Sequence, residues 1–75
     1  MQVDKPFMKN KVLQFGKKLR EVRLKKKLSQ GDIAKILGVH RSYISGLERG
    51  KPNPSLLTIN KMADALGVVP KELVE

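Results

Sequence analysis

The sequence predicts an all-α fold of five helices, and three observations carry that reading. Apolar residues recur at three- and four-residue spacing along most of the chain, the period of one helical face. Serines stand where helices would begin (Ser29, Ser55) and glycines where they would stop (Gly38, Gly67). No convincing strand pattern competes with them.

Taken in order, Met1–Asn10 lacks consistent periodicity and reads as a flexible basic arm, leaving residues 11–75 as one domain. From Lys11 a first helix is marked by Val12, Phe15, Leu19 and Val22, flanked by lysines, and it runs out at Lys25, Lys26 and Lys27. Ser29 is a good N-cap for the second helix, and Asp32 three residues on makes a near-capping box. Ile33, Ala34 and Leu37 give that helix its buried face before Gly38 ends it. The third helix lies within His40–Arg49 and is closed by Gly50. Ile44 and Leu47 are its apolar contacts, and its other side chains, mostly polar, small or basic, leave a wide wet face.

Lys51-Pro52-Asn53-Pro54 cannot continue a helix, because each proline pushes the residue before it towards extended backbone. Ser55 then caps a fourth helix with the stripe Leu56, Ile59, Met62, Ala63 and Leu66, stopped by Gly67. Pro70 fits the first turn of a short last helix, Lys71–Val74, anchored by Leu73.

Bulk properties narrow the function. A chain of 75 residues buries little surface, and without cysteine neither a disulfide framework nor a thiolate metal site can supplement it. A well-formed helical core or a partner subunit must do so instead. The missing cysteines fit a reducing, cytoplasmic setting. No apolar run approaches the ~18 residues of a membrane span, and Met1–Asn10 has no apolar block that would make it a secretory signal. A soluble protein is therefore expected, without membrane contact.

The net charge of +9 is unevenly placed. Residues 1–51 hold fourteen bases and four acids, whereas residues 52–75 hold two and three. A one-sided basic field suits a polyanion, since neutralising phosphates releases condensed counterions. Lys17, Lys18, Lys25, Lys26 and Lys27 read as a solvated face that adds only long-range attraction.

The spacing around Gly38 is more specific. Two short helices joined by a glycine-containing turn within about 20 residues describe a helix-turn-helix unit. Counting Gln30 as position one, Ala34 stands at five, Gly38 at nine and Ile44 at fifteen, with Ile33, Leu37, Val39 and Leu47 apolar between and after them. A small Ala34 lets the third helix cross, Gly38 permits a left-handed turn, and the aliphatics lock the two helices together.

Ser29-Gln30, Leu37-Gly38-Val39, Tyr43-Ile44-Ser45, Leu47-Glu48-Arg49-Gly50, Pro54-Ser55-Leu56 and Ala65-Leu66-Gly67-Val68 together resemble the phage repressor/Cro, or Xre-like, helix-turn-helix family. The resemblance spans about Phe15–Leu73, and the Tyr43–Gly50 stretch is also similar to restriction–modification controller proteins. It implies a lambda-repressor-like domain that binds double-stranded DNA and regulates transcription, as a repressor, with no enzymatic activity, cofactor, metal or small-molecule ligand.

Family members lay the third helix in the major groove. Matched residue by residue, the resemblance implies base contacts from Arg41, Ser42, Ser45 and Gly46, with Arg41 suited to guanine O6 and N7. Gly46 fits two readings, a close approach of backbone to the duplex or a tight helix–helix contact. Phosphate contacts are implied for Gln30, Tyr43, Arg49, Lys51 and Asn53, and they position without reading sequence. His40 and Gly31 depart from the family pattern and weaken two local helix starts. His40 is an imperfect cap or a phosphate neighbour, and Tyr43 alternatively packs. An Arg23–Glu48 salt bridge is implied between the first and third helices.

Phe15 and Met62 read as core, and one histidine without cysteine argues against a metal site. Ser42 and Ser45 have no His–Asp constellation that would make a nucleophile. Leu57 is the odd apolar residue, lying off the fourth helix's stripe; with Val69 and Val74 it marks an expected homodimer contact, and hence a palindromic operator. The antitoxin of a toxin–antitoxin pair and a protein-interaction adaptor on the same scaffold are the alternatives. Sequence-specific RNA binding is disfavoured by only three aromatic residues.

Overall fold

Helices α1 (Lys5–Lys25), α2 (Gln30–Leu37), α3 (Arg41–Glu48), α4 (Leu56–Leu66) and α5 (Lys71–Val74) build the computed structural model, which describes residues 5–51 and 54–74. No strand occurs among the described residues. The caps act where the sequence places them. Ser29 Oγ accepts from the Asp32 N–H at 2.9 Å while the Asp32 carboxylate accepts from the Ser29 N–H at 2.8 Å, a complete capping box. Ser55 Oγ accepts from the Thr58 N–H at 3.1 Å.

One boundary differs from expectation. α1 begins at Lys5 rather than Lys11, so residues 5–10 of the segment read as a flexible arm have helical backbone. Pro6 suits the first turn of a helix, having no N–H to leave unpaired there. α1 also ends without glycine: Lys27 takes the left-handed conformation at φ 59°, and the Leu28 N–H closes back onto the Arg23 carbonyl at 3.1 Å. The Arg23 guanidinium reinforces that turn by donating to the Leu28 carbonyl at 2.8 Å.

The core draws on every helix: Phe15 and Leu19 of α1, Ile33 and Ala34 of α2, Ile44 and Leu47 of α3, Met62, Ala63 and Leu66 of α4, and Leu73 of α5. Leu56, expected on the buried stripe of α4, is 73% exposed. It is the first residue of its helix, and helical side chains tilt towards the N-terminus, which carries it past the core.

Two contacts fix α3 in place. Gly38, at φ 70°, turns the chain from α2 towards α3 while its N–H and that of Val39 cap the end of α2. On the other side α1 crosses the end of α3 at Gly16. A Cβ there would lie 2.5 Å from the Leu47 carbonyl oxygen and 2.7 Å from that of Glu48. Only glycine fits so close to backbone atoms.

Candidate nucleic-acid interface

α3 is buried along Ile44 and Leu47, which leaves Arg41 and Ser42 exposed and Ser45 half-exposed on the outer side. At its far end Arg49 and Lys51 are both exposed, so the outward surface carries cations at each end with hydroxyls between them. Gly46 does not belong to this surface. Although it shares the Ser42 face by helical period, it is buried, and the Lys51 N–H donates to its carbonyl at 2.9 Å to close the end of α3. Of the two readings of Gly46, its burial favours the tight helix contact over a base contact.

His40 occupies the N-cap of α3 in extended backbone but caps no N–H with its side chain, as its departure from Ser or Thr predicts. Its Nδ1 instead lies 3.2 Å from Ser42 Oγ. Tyr43 is half-buried and packs against the core, the alternative weighed for it, and with Leu37, Val39, Thr58, Lys61 and Met62 it lines a shallow groove between α2 and α4. Asn53 lies outside the described residues. Leu57, Val69 and Val74 are all well exposed. Val74 shares a second groove with Pro54 and Ile59, so α5 folds back towards the start of α4, where Leu56 and Leu57 project; Val69 sits at the opposite end of α4.

Behind α3 stands the expected ion pair. Arg23 Nε donates to Glu48 Oε2 at 2.6 Å and Arg23 Nη2 to Glu48 Oε1 at 3.1 Å, with the two side chains only 9% and 4% exposed. Two parallel N–H···O bonds tie α1 to α3 in one orientation. The network extends outward: Gln30 Nε2 donates to Glu48 Oε1 at 3.0 Å, and Arg41 Nη1 donates to Gln30 Oε1 at 2.8 Å. Residue spacing alone does not signal these last two bonds, since each joins separate helices.

The start of α2 is electrostatically set as well. The Ser29 backbone N–H, then the Ser29 side chain, hold the Asp32 carboxyl below its ordinary value, with Lys35 adding to the effect. No helix among the described residues is long and apolar enough to cross a membrane.

The helix-turn-helix family matches residues 19–73 of the chain, from the last third of α1 to Leu73 in α5. Control protein C.BamHI of Bacillus amyloliquefaciens is 48% identical over 64 residues, covering 84% of this chain and 79% of that protein. Control protein C.MunI of Mycoplasma sp is 39% identical over 62 residues, covering 81% of this chain and 84% of that one. Among solved structures, the restriction-modification controller protein C.AhdI from Aeromonas hydrophila superposes with a TM-score of 0.78 at 48% identity, over 83% of this chain and 94% of that chain. With the paired helices, the exposed basic face of α3 and these relatives in agreement, the chain belongs to the phage repressor/Cro, or Xre-like, helix-turn-helix family of DNA-binding transcription regulators.

Proposed function

We propose that this transcription regulator reads double-stranded DNA with α3 in the major groove, using Arg41, Ser42 and Ser45 at base edges. Gln30, His40, Tyr43, Arg49, Lys51 and Asn53 flank them at the phosphates. The observation that carries the reading is the outer face of α3, small and polar at its centre and cationic at both ends. Hydroxyls and a guanidinium match the donors and acceptors of the major groove, while cations beyond them meet the backbone on either side. Two copies joined through Leu57, Val69 and Val74 would set two α3 helices about 34 Å apart and demand a palindromic operator. Occupying such an operator excludes other proteins from it, which is repression in its simplest form. The reading involves no catalysis and places the protein in the cytoplasm beside the DNA.

The likeness to C.BamHI, C.MunI and C.AhdI favours a controller-type regulator over the antitoxin and adaptor alternatives. Its gene should therefore neighbour those of a restriction endonuclease and a methyltransferase. Selection of bound duplexes from a random pool tests the DNA reading directly. A symmetric consensus is expected, and Arg41→Ala should lose about 1–3 kcal/mol of guanine discrimination at one position of each half-site. Failure to enrich any sequence would remove the proposal.

A further inference from the structure

We infer that His40 is a positioning residue for base recognition: its ring sets whether the Ser42 hydroxyl offers a base its lone pairs or its proton. The inference rests on the proposed reading of a base by Ser42 and adds what that hydroxyl reads. His40 stands at the N-cap of α3, where a side-chain acceptor ordinarily takes the N–H of the second or third helical residue. Its side chain caps neither, and Nδ1 lies 3.2 Å from Ser42 Oγ instead. Both residues are exposed, so the contact adds nothing to the core and forgoes a cap that would stabilise α3.

The direction of this hydrogen bond depends on the protons of the ring. A phosphate only accepts, so a neutral His40 that meets one through Nε2 carries its proton there. Nδ1 is then an acceptor, and the Ser42 O–H must donate to it. The hydroxyl oxygen keeps its lone pairs for the groove, where they match the exocyclic amine of adenine or cytosine. Protonation adds one proton at Nδ1 and leaves the Nε2–H on its phosphate. Nδ1 now donates to Ser42 Oγ, the hydroxyl rotates, and its own proton turns outward. Such a donor matches guanine O6 or thymine O4. Adenine also carries N7 as an acceptor, so cytosine is the base that loses most.

The surroundings leave Ser42 as the group on which that proton acts. Lys35 of α2 and Arg41 and Tyr43 of α3 flank the turn, and Lys61 and Asp64 of α4 stand across the grooves that Leu37 lines. Among the described residues the ring hydrogen-bonds to Ser42 and to none of these. Histidine ordinarily changes charge between about pH 5 and 8. The Asp32 carboxyl, held below its ordinary value by Ser29, stays ionised through that interval, so the capping box of α2 is the same at both ends of it.

The test is duplex selection from a random pool at about pH 8 and about pH 5.5 with wild type, His40→Ser and Ser42→Ala, followed by titration of the selected duplexes at each pH. Ser42→Ala identifies the position by erasing the preference there. In wild type that position should favour adenine or cytosine at the higher pH and move towards guanine or thymine at the lower. The change should be roughly threefold to tenfold in relative affinity, the worth of one neutral hydrogen bond, while the rest of the consensus holds. Serine at position 40 caps a helix well and does not titrate in this interval. His40→Ser should therefore melt no lower than wild type and show one base preference at both pH values. A wild-type preference that ignores pH, or a pH-driven change that persists in His40→Ser, would overturn the inference. Acidification that strengthens binding to every duplex alike, with no change of base, would overturn it equally and leave His40 a phosphate contact. If Ser42→Ala erases no preference at either pH, the fault lies instead in the proposed reading of DNA by Ser42, and the positioning role falls with it.

Discussion

Glu48 joins three helices through one carboxylate. Its carboxylate is almost fully buried, receives both arms of Arg23 and orients Gln30. Burying two charges is costly, and only full satisfaction of their hydrogen bonds recovers that cost. Here the guanidinium donates to both Glu48 oxygens and to the Leu28 carbonyl, so the pair meets that condition. Removing one member leaves the other charged and unpaired. Glu48→Ala should therefore cost about 3–5 kcal/mol, a large share of what a domain this small holds. Urea denaturation followed by circular dichroism measures it. Adding Arg23→Met to that variant should restore part of the loss, since no charge is then left unpaired; a double variant less stable than Glu48→Ala would contradict this account. The Arg23–Glu48 pair was legible in the sequence through the family pattern. The Gln30 and Arg41 links were not, since a relay across three helices leaves no mark on residue periodicity.

Elements were more legible than residues, and the reason is local. Ser29, Gly38, Ser55 and Gly67 each satisfy orphan backbone groups at a helix end, so their placement marks α2 and α4 without knowledge of the fold. The start of α1 lies within Met1–Asn10, where Pro6 fits a first turn but no apolar period supports it, and its end closes on Lys27 rather than a glycine. Gly16 escaped notice for another reason: a glycine inside a regular apolar stripe is explained only by what crosses it. That crossing gives a prediction whose sign is decided by comparing magnitudes. Alanine gains about 1 kcal/mol of helix propensity over glycine. Its methyl group at position 16 would meet the Leu47 and Glu48 carbonyl oxygens at 2.5 and 2.7 Å, backbone atoms that no rotamer change can move aside. Overpacking of this kind costs about 1–3 kcal/mol, and parting α1 from α3 also strains the Arg23–Glu48 pair. The clash wins. Gly16→Ala should lower the melting temperature, by roughly 4–8 °C for each net kcal/mol lost, and an unchanged or raised midpoint would show that α1 and α3 are less tightly seated than this geometry implies.

At the scale of the whole molecule, charge separates the two kinds of association proposed for this chain. Each protomer carries +9, with the excess in residues 1–51 and near-neutrality in residues 52–75. Leu56, Leu57 and Val74 lie in that neutral part, and α5 folds back to bring its end near the start of α4. Val74 also shares grooves with Lys11, Lys17 and Lys18 of α1, so two copies meeting there bring like charges together and repulsion opposes association at low salt. Salt should therefore act oppositely on the two equilibria. Screening between like-charged protomers favours dimerisation, whereas competition for phosphates weakens DNA binding by roughly 10³–10⁵ between ~50 and ~200 mM salt if about six to ten phosphates are neutralised. Sedimentation across that range should show dimer retained while a titration on the selected duplex shows affinity falling. Leu57→Lys provides the control. It removes exposed apolar surface, adds a cation at the contact and touches no core residue, so the monomer should fold as before. Its dimer should dissociate at lower concentration than wild type, most markedly at low salt. Binding to an isolated half-site should remain, while the gain from a second half-site is lost. A Leu57→Lys protein with wild-type dimerisation would place the interface elsewhere on the surface.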